Sequence, residues 1–236
     1  MIDVRPFASL GAFRNDWLDT HHHFSFGQYH DPARSGLGRL LVWNDDEIAP
    51  GTGFDPHPHR DMEIVTYVRD GAITHRDSLG NEGRTEAGDV QVMHAGTGIT
   101  HAEYNREAGP TRIFQIWIRP DQQGVTPGWA ARPFPQAGDT LQVLASGRSR
   151  DKETDALPLY ADAAVLAGRL RAGQTARVTI SPDRAAYLVP ATGAVTVNGT
   201  HVAGRDGAAI TGESAVTITA AEDSDIVLVD VAGDAR

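Results

Sequence analysis

The sequence predicts an all-β fold built from two tandem units. Short apolar runs of strand length recur along the whole chain, separated by turn pairs such as Pro50-Gly51, Asp70-Gly71, Gly80-Asn81 and Gly109-Pro110. Gly 25 and Pro 13 supply many turns, which favours sheets over helices. Residues 127–139 hold three prolines and two glycines, and the same pattern of short runs resumes beyond them.

The elements follow in order. Residues 1–38 read as irregular. Strands are predicted over 40–44, 62–68, 72–77, 89–93, 99–104 and 112–118. The linker at 127–139 divides the chain into domains of 1–130 and 131–236. The second domain repeats the style, with strands over 141–144, 165–170, 176–180, 185–189, 194–197, 208–210, 216–219 and 226–231. Asn198-Gly199, between 194–197 and His201-Val202, is a strong two-residue hairpin signal. The turn Arg205-Asp206-Gly207 matches Ala87-Gly88-Asp89 in style, so the halves read as a diverged duplication.

Composition narrows the function. The formal net charge is -10 and no Lys/Arg cluster is present, so direct nucleic-acid binding is not expected. There is no cysteine, which excludes disulfides, thiolate catalysis, zinc fingers and Fe–S clusters. No secretory signal and no run of 18 apolar residues is visible, so a cytoplasmic monomer with no membrane contact is expected.

Any metal must therefore be held by His, Asp or Glu. Nine of the ten histidines lie before residue 102, and the second half has only His201. In Asp55-Pro56-His57-Pro58-His59 the two histidines sit at i and i+2, so on a strand they point to one face. His101 and Glu103 share the same parity 42 residues beyond His59. Two neighbouring strands would then present three imidazoles and one carboxylate, a set suited to a divalent first-row metal. A closed tetrahedral site would indicate structural zinc, whereas an octahedral ion would keep two positions open. Fe, Ni, Co, Mn, Cu and Zn all remain compatible with the donors.

At this point the chain resembles a known family. Gly51, five residues, His57-Pro58-His59, three residues and Glu63 resemble the first cupin motif. Gly88-Asp89, Gly96, His101 and Asn105 resemble the second. More specifically, the chain is similar to pirin-family bicupins. The resemblance rests on His23-Phe24-Ser25-Phe26, on 57–63, on His75-Arg76-Asp77 with Gly80-Asn81, on 95–103 and on Gln115-Ile116-Trp117-Ile118. It is dense over 20–120 and weaker beyond. It implies two tandem jelly-roll β-barrels, the first metal-binding, the second degenerate and without ligands. It implies metal ligands at His57, His59, His101 and Glu103, leaving Glu63 as an outer residue behind them.

Other polar residues have plainer readings. His21 and His22 are expected to face solvent, and His23 to pack beside Phe24 and Phe26. His75 and Asp77 are expected to make a structural hydrogen bond. Phe114 and Trp117 read as core. His94 stands where cupins commonly have proline, and nothing in the sequence explains it.

The resemblance also implies an activity. Short bacterial pirin-like proteins resemble quercetin 2,3-dioxygenases, which open the central ring of a flavonol with O2 and release CO. One divalent ion, Fe(II) by expectation, would serve a small aromatic substrate, with Glu103 as the catalytic base. The alternative is a non-enzymatic, redox-sensing regulator that binds a protein partner through its metal state. A third reading, an isomerase or hydrolase acting on a sugar or small acid, would need several convergent Arg or Lys side chains. An open apolar cavity of roughly 300–1,000 Å³ over the metal would favour the dioxygenase.

Overall fold

The computed structural model describes residues 1–134 and 140–233. Of the linker expected over 127–139, residues 135–139 lie outside the described residues. The first part is not linker but strand Gly128–Arg132, which pairs with Val90–His94. The fold is all-β, with three single-turn 3-10 helices among the described residues. No helix among them is long and apolar enough to cross a membrane.

Each half contains one seven-stranded and one four-stranded sheet. In the first half the large sheet runs Gly128–Arg132, Val90–His94, Glu63–Asp70, Thr111–Ile118, Leu40–Ile48, Leu18–His22 and Gly11–Arg14. Its small sheet runs Gly53–His59, Ile99–Tyr104, Ala72–Asp77 and Glu82–Glu86. The second half repeats the small sheet strand for strand and the five inner strands of the large sheet, the duplication expected from the turns, but its last edge strand, Leu157–Pro158, pairs parallel where Gly11–Arg14 pairs antiparallel. Its first edge strand, however, is Ile2–Arg5, which pairs with Gly207–Thr211. The expectation of an irregular 1–38 is thus corrected, because 2–5, 11–14 and 18–22 are strands. Four-residue runs with mixed polarity at sheet edges carry little periodic signal.

The hairpin signal at Asn198-Gly199 is borne out. Both residues have positive φ, 45° and 83°, and Val197 pairs directly with Thr200. This is the backbone that a tight two-residue turn requires.

Strand parity sets the packing. In Glu63–Asp70, Val65 and Tyr67 join the main core cluster, where the two large sheets meet through Trp43, Phe114, Val165, Tyr187 and Val229. The alternate residues Ile64, Thr66 and Val68 face the interior of the first half. Strands of these large sheets are buried on both faces, which explains their nearly continuous apolar character. The interior of the second half is filled with Ala, Val, Ile and Leu, including Val178, Val197, Val216 and Ile218. The first half has only small apolar clusters at the two ends of its interior. Between them lies a cavity.

Candidate metal centre

Strands Gly53–His59 and Ile99–Tyr104 are antiparallel neighbours with His57 directly opposite His101. Three imidazoles therefore converge. Ring centroids are 4.8 Å apart for His57 and His59, 4.6 Å for His57 and His101, and 5.0 Å for His59 and His101. One nitrogen from each lies within 4.8 Å of the others. Burial, reinforced by the neighbouring imidazoles, pushes His59 down to about 4 and His101 down to about 3. Both rings are thus neutral and offer lone pairs at neutral pH.

Hydrogen bonds settle which nitrogen is offered. The Asp55 carbonyl accepts from His57 Nδ1 at 2.7 Å, so Nε2 is left free. His59 Nε2 is buried with no hydrogen-bond partner. An orphaned buried nitrogen is costly unless something binds it, and a cation would do so. His101 Nδ1 lies 3.5 Å from His75 Nδ1, and His75 Nε2 lies 3.0 Å from Asp77. Burial pushes the Asp77 carboxyl up, but hydrogen bonds from His75 and Asn81 outweigh it and hold Asp77 below the usual carboxylate range. Asp77 accepts a hydrogen bond from His75 Nε2–H, and in that tautomer His75 Nδ1 can accept from His101 Nδ1–H. His101 is left with Nε2 as its free donor atom. The expected structural bond between His75 and Asp77 is present, and it backs the cluster. Gly83 leaves room for Trp129 to stack on His75 at 4.8 Å; a Cβ there would lie 2.2 Å from the indole.

Glu103 is buried on the same strand as His101, beyond a register shift. Its carboxylate groups most tightly with His101 and His75 rather than with all three converging histidines. It accepts hydrogen bonds from Gln91, from Gln115 at 2.8 Å and from Thr66 at 3.2 Å. These donors face the interior from the large sheet and fix the carboxylate's orientation. Three convergent imidazoles, an orphaned lone pair and an adjacent carboxylate suit a divalent metal ion.

Glu63 points the other way. The chain turns between His59 and Glu63 through Asp61, at φ 46°, so the parity of one strand does not carry into the next. Glu63 faces the second half with Val65 and Tyr67. It lies 2.6 Å from His94 Nδ1, directly opposite in register, and accepts from the Tyr160 amide at 3.1 Å. This corrects the placement of Glu63 behind the ligands and accounts for His94: the pair ties the halves together.

The cavity over the histidines measures about 490 Å³. Trp17, Phe26, Phe54, Ile64 and Trp117 supply apolar walls, and no Arg or Lys among the described residues lines it. Trp117 packs against the cluster of Ile64, Met93, Ala95 and Ile99 and also forms part of the cavity wall, with its ring 5.0 Å from His59. Phe114 is core, as expected. His22 was expected to face solvent, but it is buried, lines the cavity and bonds Asn44 at 2.8 Å. His21 is partly buried beside Phe7. His23 is fully buried against Tyr187, 2.9 Å from its hydroxyl.

The sequence reading missed Thr20, Asn44, Asp46, Gln91 and Gln115. A signal was present in Asn44-Asp45-Asp46, three polar residues inside an apolar strand. Asp45 faces the second half and pairs with Arg69 and Arg205. Asp46 faces the cavity, and burial pushes its carboxyl up to about 7.

Comparison with known proteins agrees with this frame. The family pattern described as Pirin matches residues 4–118, and one described as a quercetinase C-terminal cupin domain matches residues 146–231. A pirin-like protein of Caulobacter vibrioides is 58% identical over 98% of this chain and 100% of its own length. A quercetin 2,3-dioxygenase of Escherichia coli is 38% identical over 98% of this chain and 99% of its own. The crystal structure of the bacterial pirin YhhW of Escherichia coli in complex with nickel(II) superposes with a TM-score of 0.92 at 38% identity, covering 99% of this chain and 100% of that one. End-to-end similarity at this level, with the same two-unit all-β architecture, shows that the chain belongs to the pirin family of bicupins.

Proposed function

We propose that this protein is a metal-dependent dioxygenase that opens the central ring of flavonols such as quercetin with O2 and releases CO. The observation that carries the proposal is the open, largely apolar cavity of about 490 Å³ directly over the convergent histidines. A regulator that works through its surface has no need of such a chamber. The lack of any lining Arg or Lys counts against a sugar or small-acid isomerase or hydrolase. The relative named quercetin 2,3-dioxygenase supports the chemistry, and the nickel(II) complex of YhhW supports a bound divalent metal.

In this reading His57, His59, His101 and Glu103 hold one divalent ion, Fe(II) in the cytoplasm. When bound, the ion supplies Lewis acidity and a template for a flavonolate and O2. Three neutral imidazoles and one carboxylate leave a divalent site with formal charge about +1, which suits an anionic oxygen. Glu103 takes the proton of the flavonol 3-hydroxyl, and Gln91, Gln115 and Thr66 keep its carboxylate aimed. Trp17, Phe54 and Trp117 exclude water and give a flat ring system an apolar wall. The reading divides the chain into a metal-binding domain, 1–130, and a supporting domain, 131–236, with Ile2–Arg5 and Gly128–Arg132 crossing that division.

The test is to purify the protein without chelator, count metal per chain, and follow quercetin loss and CO release under air. About one first-row metal per chain with chelator-sensitive turnover is the expected result. Full metal occupancy without turnover would refute the dioxygenase reading.

A further inference from the structure

The cavity has a second polar feature that the metal centre does not use. Strands Leu18–His22 and Leu40–Ile48 pair with His22 opposite Asn44 and Thr20 opposite Asp46. Alternation puts all four side chains on one face, and all four line the cavity. They belong to the seven-stranded sheet, whereas the three histidines belong to the four-stranded sheet of the same half. Each of the four is at most 5% exposed. Thr20 Oγ1 is buried without a hydrogen bond of full geometry, although it lies beside the Asp46 carboxyl. The amide oxygen of Asn44 accepts from His22 Nδ1, which leaves the Asn44 amide protons as donors and His22 Nε2 as an acceptor.

We propose that Thr20, His22, Asn44 and Asp46 form a second subsite, which binds the ring hydroxyls of a polyhydroxylated aromatic substrate whose chelating oxygens are held at the histidine cluster. The proposal rests on the flavonol reading and deepens it. A bare hydrocarbon ring laid on this wall would strip water from four polar groups and leave their remaining donors and acceptors unpaired, which is unfavourable. A carboxylate or phosphate would meet Asp46 with no cation in the lining to offset it. Hydroxyl groups donate and accept, so they match a wall that offers both. Burial pushes Asp46 up to about 7, so near neutral pH its carboxyl is partly protonated and can serve in either role.

The test compares two probes, quercetin and 3-hydroxyflavone. Both carry the chelating 3-hydroxyl and 4-carbonyl, but only quercetin has hydroxyls on its outer rings. Affinities are measured without O2 on the metal-loaded protein and on Thr20→Val, Asn44→Leu, Asp46→Asn and Asp46→Leu. Metal content and circular dichroism identify any variant that has failed to fold, and Thr20→Val is close enough in shape to keep the test decisive. The unaltered protein should prefer quercetin. Each removal of a hydrogen-bonding group should reduce that preference by roughly tenfold, with Asp46→Asn reducing it less than Asp46→Leu. Equal affinity for the two probes, or a preference that the substitutions leave intact, would overturn the subsite while leaving the flavonol reading in place. Failure of the unaltered, metal-loaded protein to bind either probe would refute the flavonol reading itself, and the subsite with it.

Discussion

Replacing Glu63 with alanine separates two roles that the cupin motif leaves open for this residue. In the structure Glu63 is 1% exposed and accepts from His94 at 2.6 Å and from the Tyr160 amide at 3.1 Å. Glu63→Ala removes the acceptor of both. Each buried donor left unpaired costs about 1–3 kcal/mol. His94 keeps 9% exposure, so water relieves part of its loss, and about 3 kcal/mol for the two donors together is expected. For a chain of this size that corresponds to a melting temperature lower by roughly 6–12 °C. The melt should be followed on metal-free protein, since metal binding would add its own stabilisation. Elemental analysis of the same variant, purified without chelator, should show unchanged metal per chain. The double variant Glu63→Ala/His94→Ala should cost less than the sum of its parts, because one interaction has been counted twice. Loss of metal from Glu63→Ala with an unaltered metal-free melt would refute this reasoning and place Glu63 among the ligands.

The other predictions concern the ligands and their support. His101→Ala should lose most bound metal, and Glu103→Gln should retain more of it while slowing quercetin turnover; full turnover by metal-loaded Glu103→Gln would remove Glu103 as the base. Asp77→Asn should weaken metal binding by about 10–100-fold, measured by chelator competition, because it disturbs the His75 bridge that orients His101. The pH dependence has a definite sign. Unfolded histidines take up protons near pH 6.5, whereas folded His59 and His101 resist protonation until about 4 and 3. The unfolded state therefore binds more protons in between, and metal-free stability should fall as pH is lowered from about 6.5 through about 4. Denaturant melts at pH 7.5, 6 and 5 check this, and a stability that rises on acidification would contradict it.

Strands in the chain's interior were legible because their apolar runs are long. The runs at 63–70 and 224–232 belong to sheets buried on both faces, so almost every position is apolar. The edge strands at 2–5 and 11–14 were not legible, because half of an exposed edge strand is solvated and its period vanishes among turn residues. The residues of the candidate site were visible for a local reason: His57, His59, His101 and Glu103 lie on two strands where i, i+2 spacing alone makes the residues share a face. Their supports were hidden because they come from other strands. Gln91, Gln115, Asn44 and Thr20 acquire a role only through register, and no local spacing encodes which residue of one strand lies opposite another. Glu63 shows the converse hazard: a motif that runs across the turn at Asp61 implied a place behind the cluster, but the turn carries Glu63 to the opposite face.

The two halves share the order of their inner strands, yet among the described residues the first encloses a cavity where the second is filled, and paired strands show why. In the first half Gly53–His59 and Ile99–Tyr104 bring His57 against His101. The second half's corresponding pair, Thr175–Thr179 and Ala215–Ala220, sets Val178 against Val216 and Ala176 against Ile218. All four are buried in the second core. Aliphatic side chains interdigitate and close the interior at little cost. Histidines, glutamate and the amides around them cannot collapse in this way, since each buried polar atom needs a partner of defined geometry. The first half is therefore held open by polar groups that satisfy one another around its rim, and its shape depends on a rigid backing. The filled second half supplies that backing through Tyr187 against His23, Arg205 against Asp45, and Asp225 against Tyr67. Loosening these ties should relax the cavity before it unfolds the domain, so Tyr187→Phe and Asp225→Asn should weaken flavonol binding more than they lower the melting temperature. If both variants instead bound quercetin as tightly as the unaltered protein while melting several degrees lower, the second half would be a stabilising appendage with no hold on the cavity's shape.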